Sequence, residues 1–125
     1  LFYMNFKSIS LNLIFFFYLL FLLYSYVRPV EEIQNVRGLI SLSDNIVHFC
    51  AFFLLGILAQ MTNDKENSFI FGVTLSIVIS LFIEFTHYLI PYREFSIIEG
   101  IMNILGCLTA IYLINYLRIK KWINF

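Results

Sequence analysis

From Ile9 to Val27 the chain carries no charged side chain, and three further stretches, about Asn45 to Met61, Phe69 to Ile90 and Ile97 to Leu117, are almost as apolar. A spanning helix uses about 20 such residues, because each backbone N–H and C=O must be satisfied within the segment once water is gone. The runs therefore predict an all-α bundle of four transmembrane helices. They occupy most of the 125 residues, so the reading is a single transmembrane domain over residues 1–125 with no separate soluble module. Composition agrees. Charged residues make up 13% of the chain, against about 25% in soluble domains. A net charge of +0 without a basic run argues against a nucleic-acid partner, and abundant Phe, Ile and Leu argue against disorder. Cys50 and Cys107 are too few for a disulfide-stapled secreted fold.

The run boundaries have physical causes. The first run follows Lys7, exceeds a signal-peptide core in length and ends at Tyr24-Ser25-Tyr26-Val27-Arg28, which is not a small-residue cleavage site, so it reads as a retained helix. Pro29 disfavours helical geometry at Arg28, and Glu31 and Glu32 follow at once. Ser43 and Asp44 suit an N-cap for the second helix, the polar stretch Asn63 to Asn67 ends it, and Pro91 ends the third. Lys7, Lys65, Arg118, Lys120 and Lys121 lie at one set of helix ends, against Arg28, Arg37 and Arg93 at the other. Basic residues are retained in the cytoplasm, which predicts both termini inside, with Trp122 at the inner interface.

A charged side chain at a span's centre costs about 2.5 to 3.5 kcal/mol, so each one retained needs a partner or a purpose. Asp44 and His48 share a face of the second helix. Ser76, Ser80, Glu84 and His87 draw a stripe down the third, which Gly72 extends, and Glu99, Asn103, Gly106 and Ala110 do the same on the fourth. All three polar ends lie at the same level, predicting a pocket that opens at the outer leaflet. Arg93, in the turn after Pro91, would sit over its mouth. The first helix has no stripe and is expected at the periphery.

Ser43-Asp44-Asn45-Ile46-Val47-His48, then Ile83-Glu84-Phe85-Thr86-His87 with Pro91-Tyr92-Arg93, then Glu99-Gly100-Ile101-Met102-Asn103-Ile104-Leu105-Gly106 together resemble the motifs of the VanZ-like membrane proteins. There a helix-opening Asp and a His one turn later precede Glu-x-x-Gln, Pro-x-Arg and Asp-x-x-x-Asn-x-x-Gly. Asp44, His48, Glu84, Pro91, Arg93, Asn103 and Gly106 match; Asn45 stands where Lys is usual, His87 where Gln is usual and Glu99 where Asp is usual. The resemblance implies a multi-pass protein of the bacterial inner membrane, and an envelope role. The family's founding member is associated with low-level teicoplanin resistance.

Glu84, His48 and Asp44 are the candidate acid–base residues, and Arg93, His87, Glu99 and Asn103 the candidates for binding an anionic, membrane-lipid or lipid-linked envelope substrate. Against that stand bland readings: Glu84 paired with Arg93 or His48 to fix packing, Asp44 with His48 as a cap, Asn103 as an interhelical bridge, Gly106 and Ala110 as close-approach positions. The imidazoles and carboxylates could ligate a divalent metal, but the resemblance puts a Gln at position 87, a poor ligand, so neither metal nor other cofactor is expected. Cys50 and Cys107 read as small buried hydrophobes, and the Phe15-Phe16-Phe17 run and the tyrosines as lipid-facing or interfacial. Three function classes stay open: an envelope enzyme, a non-catalytic binder and a structural membrane protein.

Overall fold

The computed structural model describes residues 6–28, 44–62, 68–91, 95–120 and 122–123. These form four helices, α1 (Phe6–Val27), α2 (Asp44–Thr62), α3 (Ser68–Leu89) and α4 (Ile97–Ile119), with no strand among them. Each is long and apolar enough to cross a membrane. The 19 residues of α2 make it the shortest, about 28 Å at 1.5 Å per residue, close to the hydrocarbon thickness of about 30 Å.

The helices alternate in direction, so the C-terminal ends of α1 and α3 meet the N-terminal ends of α2 and α4. His87 near the end of α3 touches Tyr26 near the end of α1, and His48 at the start of α2 touches Asn103 at the start of α4. The most extensive packing is between α2 and α4, which therefore run parallel, while α1 leans on α2 and α3. Far less of α1 is buried than of the other three helices, in keeping with a peripheral helix. Even so, α1 supplies Leu22 and Tyr26 to a core shared with Phe52, Leu55, Ile79, Ile83, Cys107 and Ile111.

Between lipid-embedded helices there is no hydrophobic driving force, so close approach and interhelical hydrogen bonds must do the joining. Both occur on the α2–α4 seam. A Cβ on Gly56 would lie 2.8 Å from Ala110 Cβ and 2.9 Å from the Cys107 carbonyl, and one on Gly106 would collide with the Phe49 carbonyl. At the far end of the seam Arg118 donates from Nη2 to the Gln60 carbonyl at 2.6 Å. The outside is the reverse of a soluble protein: Phe16, Phe17, Phe21, Leu81, Phe82 and Phe85 are exposed, while Gln60, Ser76, Ser80, Glu84, His87 and Asn103 are buried. Cys107 is a buried small residue as expected, its thiol turned to the Gly72 carbonyl. Cys50 is not; it is exposed on α2, where an apolar side chain can face lipid as readily as the core.

Candidate functional site

The site begins with the first turn of α4. Ser96 caps it in an extended conformation, its hydroxyl accepting the Glu99 N–H at 3.3 Å. Ser-x-x-Glu is the capping-box pattern, in which the glutamate normally reaches back to the N–H of the cap residue. Here that N–H is taken from another helix: Glu84 of α3 accepts it on Oε2 at 3.1 Å. Glu99 turns instead to α2, where its Oε2 lies 3.2 Å from His48 Nε2.

The other face of His48 is fixed by a chain of hydrogen bonds whose direction is forced. The Gly100 carbonyl can only accept, so the Ser80 hydroxyl donates to it at 3.2 Å. With its one proton used, Ser80 accepts from Asn103 Nδ2 at 3.3 Å. That turns Asn103 Oδ1 to His48, 2.9 Å away, and an amide oxygen accepts, so His48 Nδ1 carries a proton and donates. The remaining nitrogen, Nε2, is the one aimed at Glu99.

Tyr26 covers this group from α1. Its ring centre lies 4.6 Å from that of His48 and 6.2 Å from that of His87. Its carbonyl, in the last turn of α1 and so without an acceptor role inside the helix, receives His87 Nε2 at 3.1 Å. His87 Nδ1 is then 3.9 Å from Glu84 Oε2, an electrostatic neighbour rather than a hydrogen-bond partner. Glu84 is 4% exposed, and its second oxygen, Oε1, is buried with no hydrogen-bond partner among the described residues. Beside it lies an open cleft of about 520 Å³ lined by Leu81, Glu84, Phe85, Tyr88 and Phe95. The apolar members of that lining are exposed, so the cleft reaches Glu84 through the lipid-facing side of the bundle. A polar pocket open at the membrane surface was the expectation from sequence.

Of the expected site residues, His48, Glu84, Glu99, Asn103 and His87 come together. Ligand-type atoms of His48, Glu84 and Glu99 all lie within 4.8 Å of one another. Asp44 stands in the first turn of α2, partly exposed, and does not join that set. Arg93 lies outside the described residues. Tyr26 and Ser96 were not singled out by sequence; the Ser-x-x-Glu pattern marks Ser96, whereas nothing distinguishes Tyr26 from its tyrosine neighbours except its level in the first helix.

A family model described as VanZ/LLP1 matches residues 2–118. The chain belongs to the VanZ/LLP1 family. No curated protein and no solved structure gives a significant match. Family membership and the four long apolar helices make this VanZ/LLP1 chain a multi-pass membrane protein. Its motif residues explain one another spatially. His48 and Asn103 are hydrogen-bonded, Gly106 lets α4 approach α2 one turn below that bond, and Glu84 from the third helix ties down the start of α4.

Proposed function

We propose that this VanZ/LLP1 protein binds and acts on a lipid-linked or other amphiphilic molecule of the cell envelope, at the outer leaflet of the bacterial inner membrane, with Glu84 as acid and base. The observation that carries the reading is Glu84 itself: a buried carboxylate with an oxygen unpartnered among the described residues, lining a lipid-facing apolar cleft. An acyl or isoprenoid chain would lie along Leu81, Phe85, Tyr88 and Phe95, and the polar end would meet Glu84. His48 Nε2 and Glu99 Oε2, 3.2 Å apart, would exchange the proton with it. Arg93 would hold an anionic group with its planar fork. Outer-leaflet placement follows from the Lys and Arg bias of the helix ends, and intramembrane acids are functional by default.

Glu84→Gln tests this. The amide keeps an oxygen for the Ser96 N–H, so helix α4 stays capped while proton exchange is lost. The variant should remain folded, with unchanged thermal stability in detergent, and should lose the protein's effect on the envelope, read as tolerance of cells to a lipoglycopeptide. A folded and fully active Glu84→Gln protein would end the acid–base reading. The structural alternative has its own support in the hydrogen-bond chain from His48 through Asn103 and Ser80 to the Gly100 carbonyl. It is favoured instead if Glu84→Gln destabilises the protein by about 3 to 5 kcal/mol, the cost of breaking a buried charge pair.

A further inference from the structure

We propose that His48, Glu84 and Glu99 form a binding site for one divalent transition-metal cation, with Asn103 as the residue that positions the imidazole. The three side chains come from three different helices, yet their ligand-type atoms lie within 4.8 Å of one another. His48 Nε2 and Glu99 Oε2 are 3.2 Å apart; two ligands about 2.1 Å from one tetrahedral ion stand about 3.4 Å apart.

The surrounding contacts orient two of the three ligand groups. The Gly100–Ser80–Asn103 chain places the proton of His48 on Nδ1. Nε2 is left as the atom facing Glu99, and a ligating histidine held through its other nitrogen by an oxygen acceptor is the usual second-shell arrangement. Glu84 is anchored through Oε2 by the Ser96 N–H, and its Oε1 is buried without a hydrogen bond among the described residues. Glu99, whose side chain is 22% exposed, gives the ion a way in. A divalent ion between them would offset the repulsion of two carboxylates brought this close inside a bundle. One imidazole with two carboxylates suits Zn²⁺ or Mn²⁺, and three protein ligands is the number found where a further position stays open. The sequence-level objection, a family Gln at position 87, does not touch this triad, because His87 spends its Nε2 on the Tyr26 carbonyl.

This site shares residues with the function proposed above and can be tested without any amphiphile. The full chain is purified in detergent, stripped with a chelator, and titrated with Zn²⁺, Mn²⁺ or Co²⁺ alone, following bound metal per chain and the thermal transition. One ion per chain should bind and raise the transition temperature. Glu99→Gln, which preserves shape, should abolish binding, Asn103→Ala should weaken it about 10- to 100-fold, and His87→Gln should change it by no more than about twofold. Pulsed electron paramagnetic resonance of the Mn²⁺-loaded wild type should show coupling to one imidazole nitrogen, a readout that needs no variant. A stripped protein that takes up none of the three ions, a Mn²⁺ signal without nitrogen coupling, or a folded Glu99→Gln that binds as the wild type does would overturn the proposal. Those results would leave the Glu84 acid–base reading standing, since that is decided by Glu84→Gln in cells.

Discussion

Replacing Gly106 with alanine should be the most damaging one-carbon change in the bundle. A Cβ there meets the Phe49 carbonyl oxygen well inside contact distance, with Phe53 N at 3.0 Å and the Phe49 carbonyl carbon at 3.1 Å. All three are backbone atoms of α2 and cannot rotate away. To restore ordinary contact, which begins near 3.4 Å, the helices must part by about an ångström, and overpacking of that kind costs about 1 to 3 kcal/mol. The opening has a second effect, because His48 precedes Phe49 and Asn103 lies one turn before Gly106. Their 2.9 Å bond would be stretched out of range, adding about 0.6 kcal/mol, the mean for an interhelical hydrogen bond in a membrane. A Cβ on Gly72 would meet Ile111 Cδ1 at 2.7 Å and Gln60 Nε2 at 2.9 Å, both ends of side chains that can move, and one on Gly100 finds Glu84 Cγ at 3.5 Å and Ser80 Oγ at 3.7 Å, an ordinary contact. The order of destabilisation should therefore be Gly106→Ala, then Gly72→Ala, then Gly100→Ala, the last within about 0.5 kcal/mol of wild type. Melting in detergent, followed by circular dichroism, measures all three. A double-mutant cycle sharpens it: if Gly106→Ala has already broken the His48–Asn103 bond, Asn103→Ala should cost less in that background than alone. Gly106→Ala as stable as Gly100→Ala, or strict additivity with Asn103→Ala, would refute the reasoning.

Other outcomes follow from the same geometry. A cysteine placed between Thr62 and Ser68 should react only with membrane-permeant reagents, and one between Glu31 and Ser41 should react from outside the cell; labelling of both from one side would overturn the four-span topology, and the reversed pattern would move the site to the inner leaflet. Arg93→Lys keeps the charge but loses the bidentate fork, so it should weaken the envelope phenotype and leave the melting temperature unchanged; equal loss of both would mark Arg93 as structural. His87→Gln retains a donor for the Tyr26 carbonyl and should be nearly neutral, whereas His87→Leu removes the donor and should cost about 1 kcal/mol in the same melting assay.

The helices and their level in the bundle were legible because charge and proline mark the ends of apolar runs: Arg28-Pro29, Asn63 to Asn67 and Pro91 all fall beside an observed helix end. The polar stripes were legible too, since in a lipid-facing helix a residue such as Glu84 or Asn103 has only one side on which it can be satisfied. Apolar faces carry no such contrast. Lipid and core are equally apolar, so nothing in α1 separates buried Leu22 and Tyr26 from exposed Phe21 and Tyr24, and Cys50 looked as buried as Cys107. The partner of Glu84 was hidden for a different reason. It is a backbone N–H, that of Ser96, and main-chain donors leave no mark in a sequence beyond the cap pattern.

That borrowed cap makes two glutamates rivals for a single amide. Whatever draws the Glu84 carboxylate away from Ser96 exposes the start of α4, and the residue three positions on, Glu99, has the chain position from which a capping glutamate ordinarily closes that gap. In closing it, Glu99 would have to leave His48. Arrival of a ligand that pulled Glu84 off Ser96 and release of the imidazole would then be two ends of one exchange, carried by a single turn of helix. Amide hydrogen exchange at Ser96 is where it would be read: slow at rest, and still slow in Glu84→Ala if Glu99 takes over, but fast in Glu84→Ala combined with Glu99→Ala.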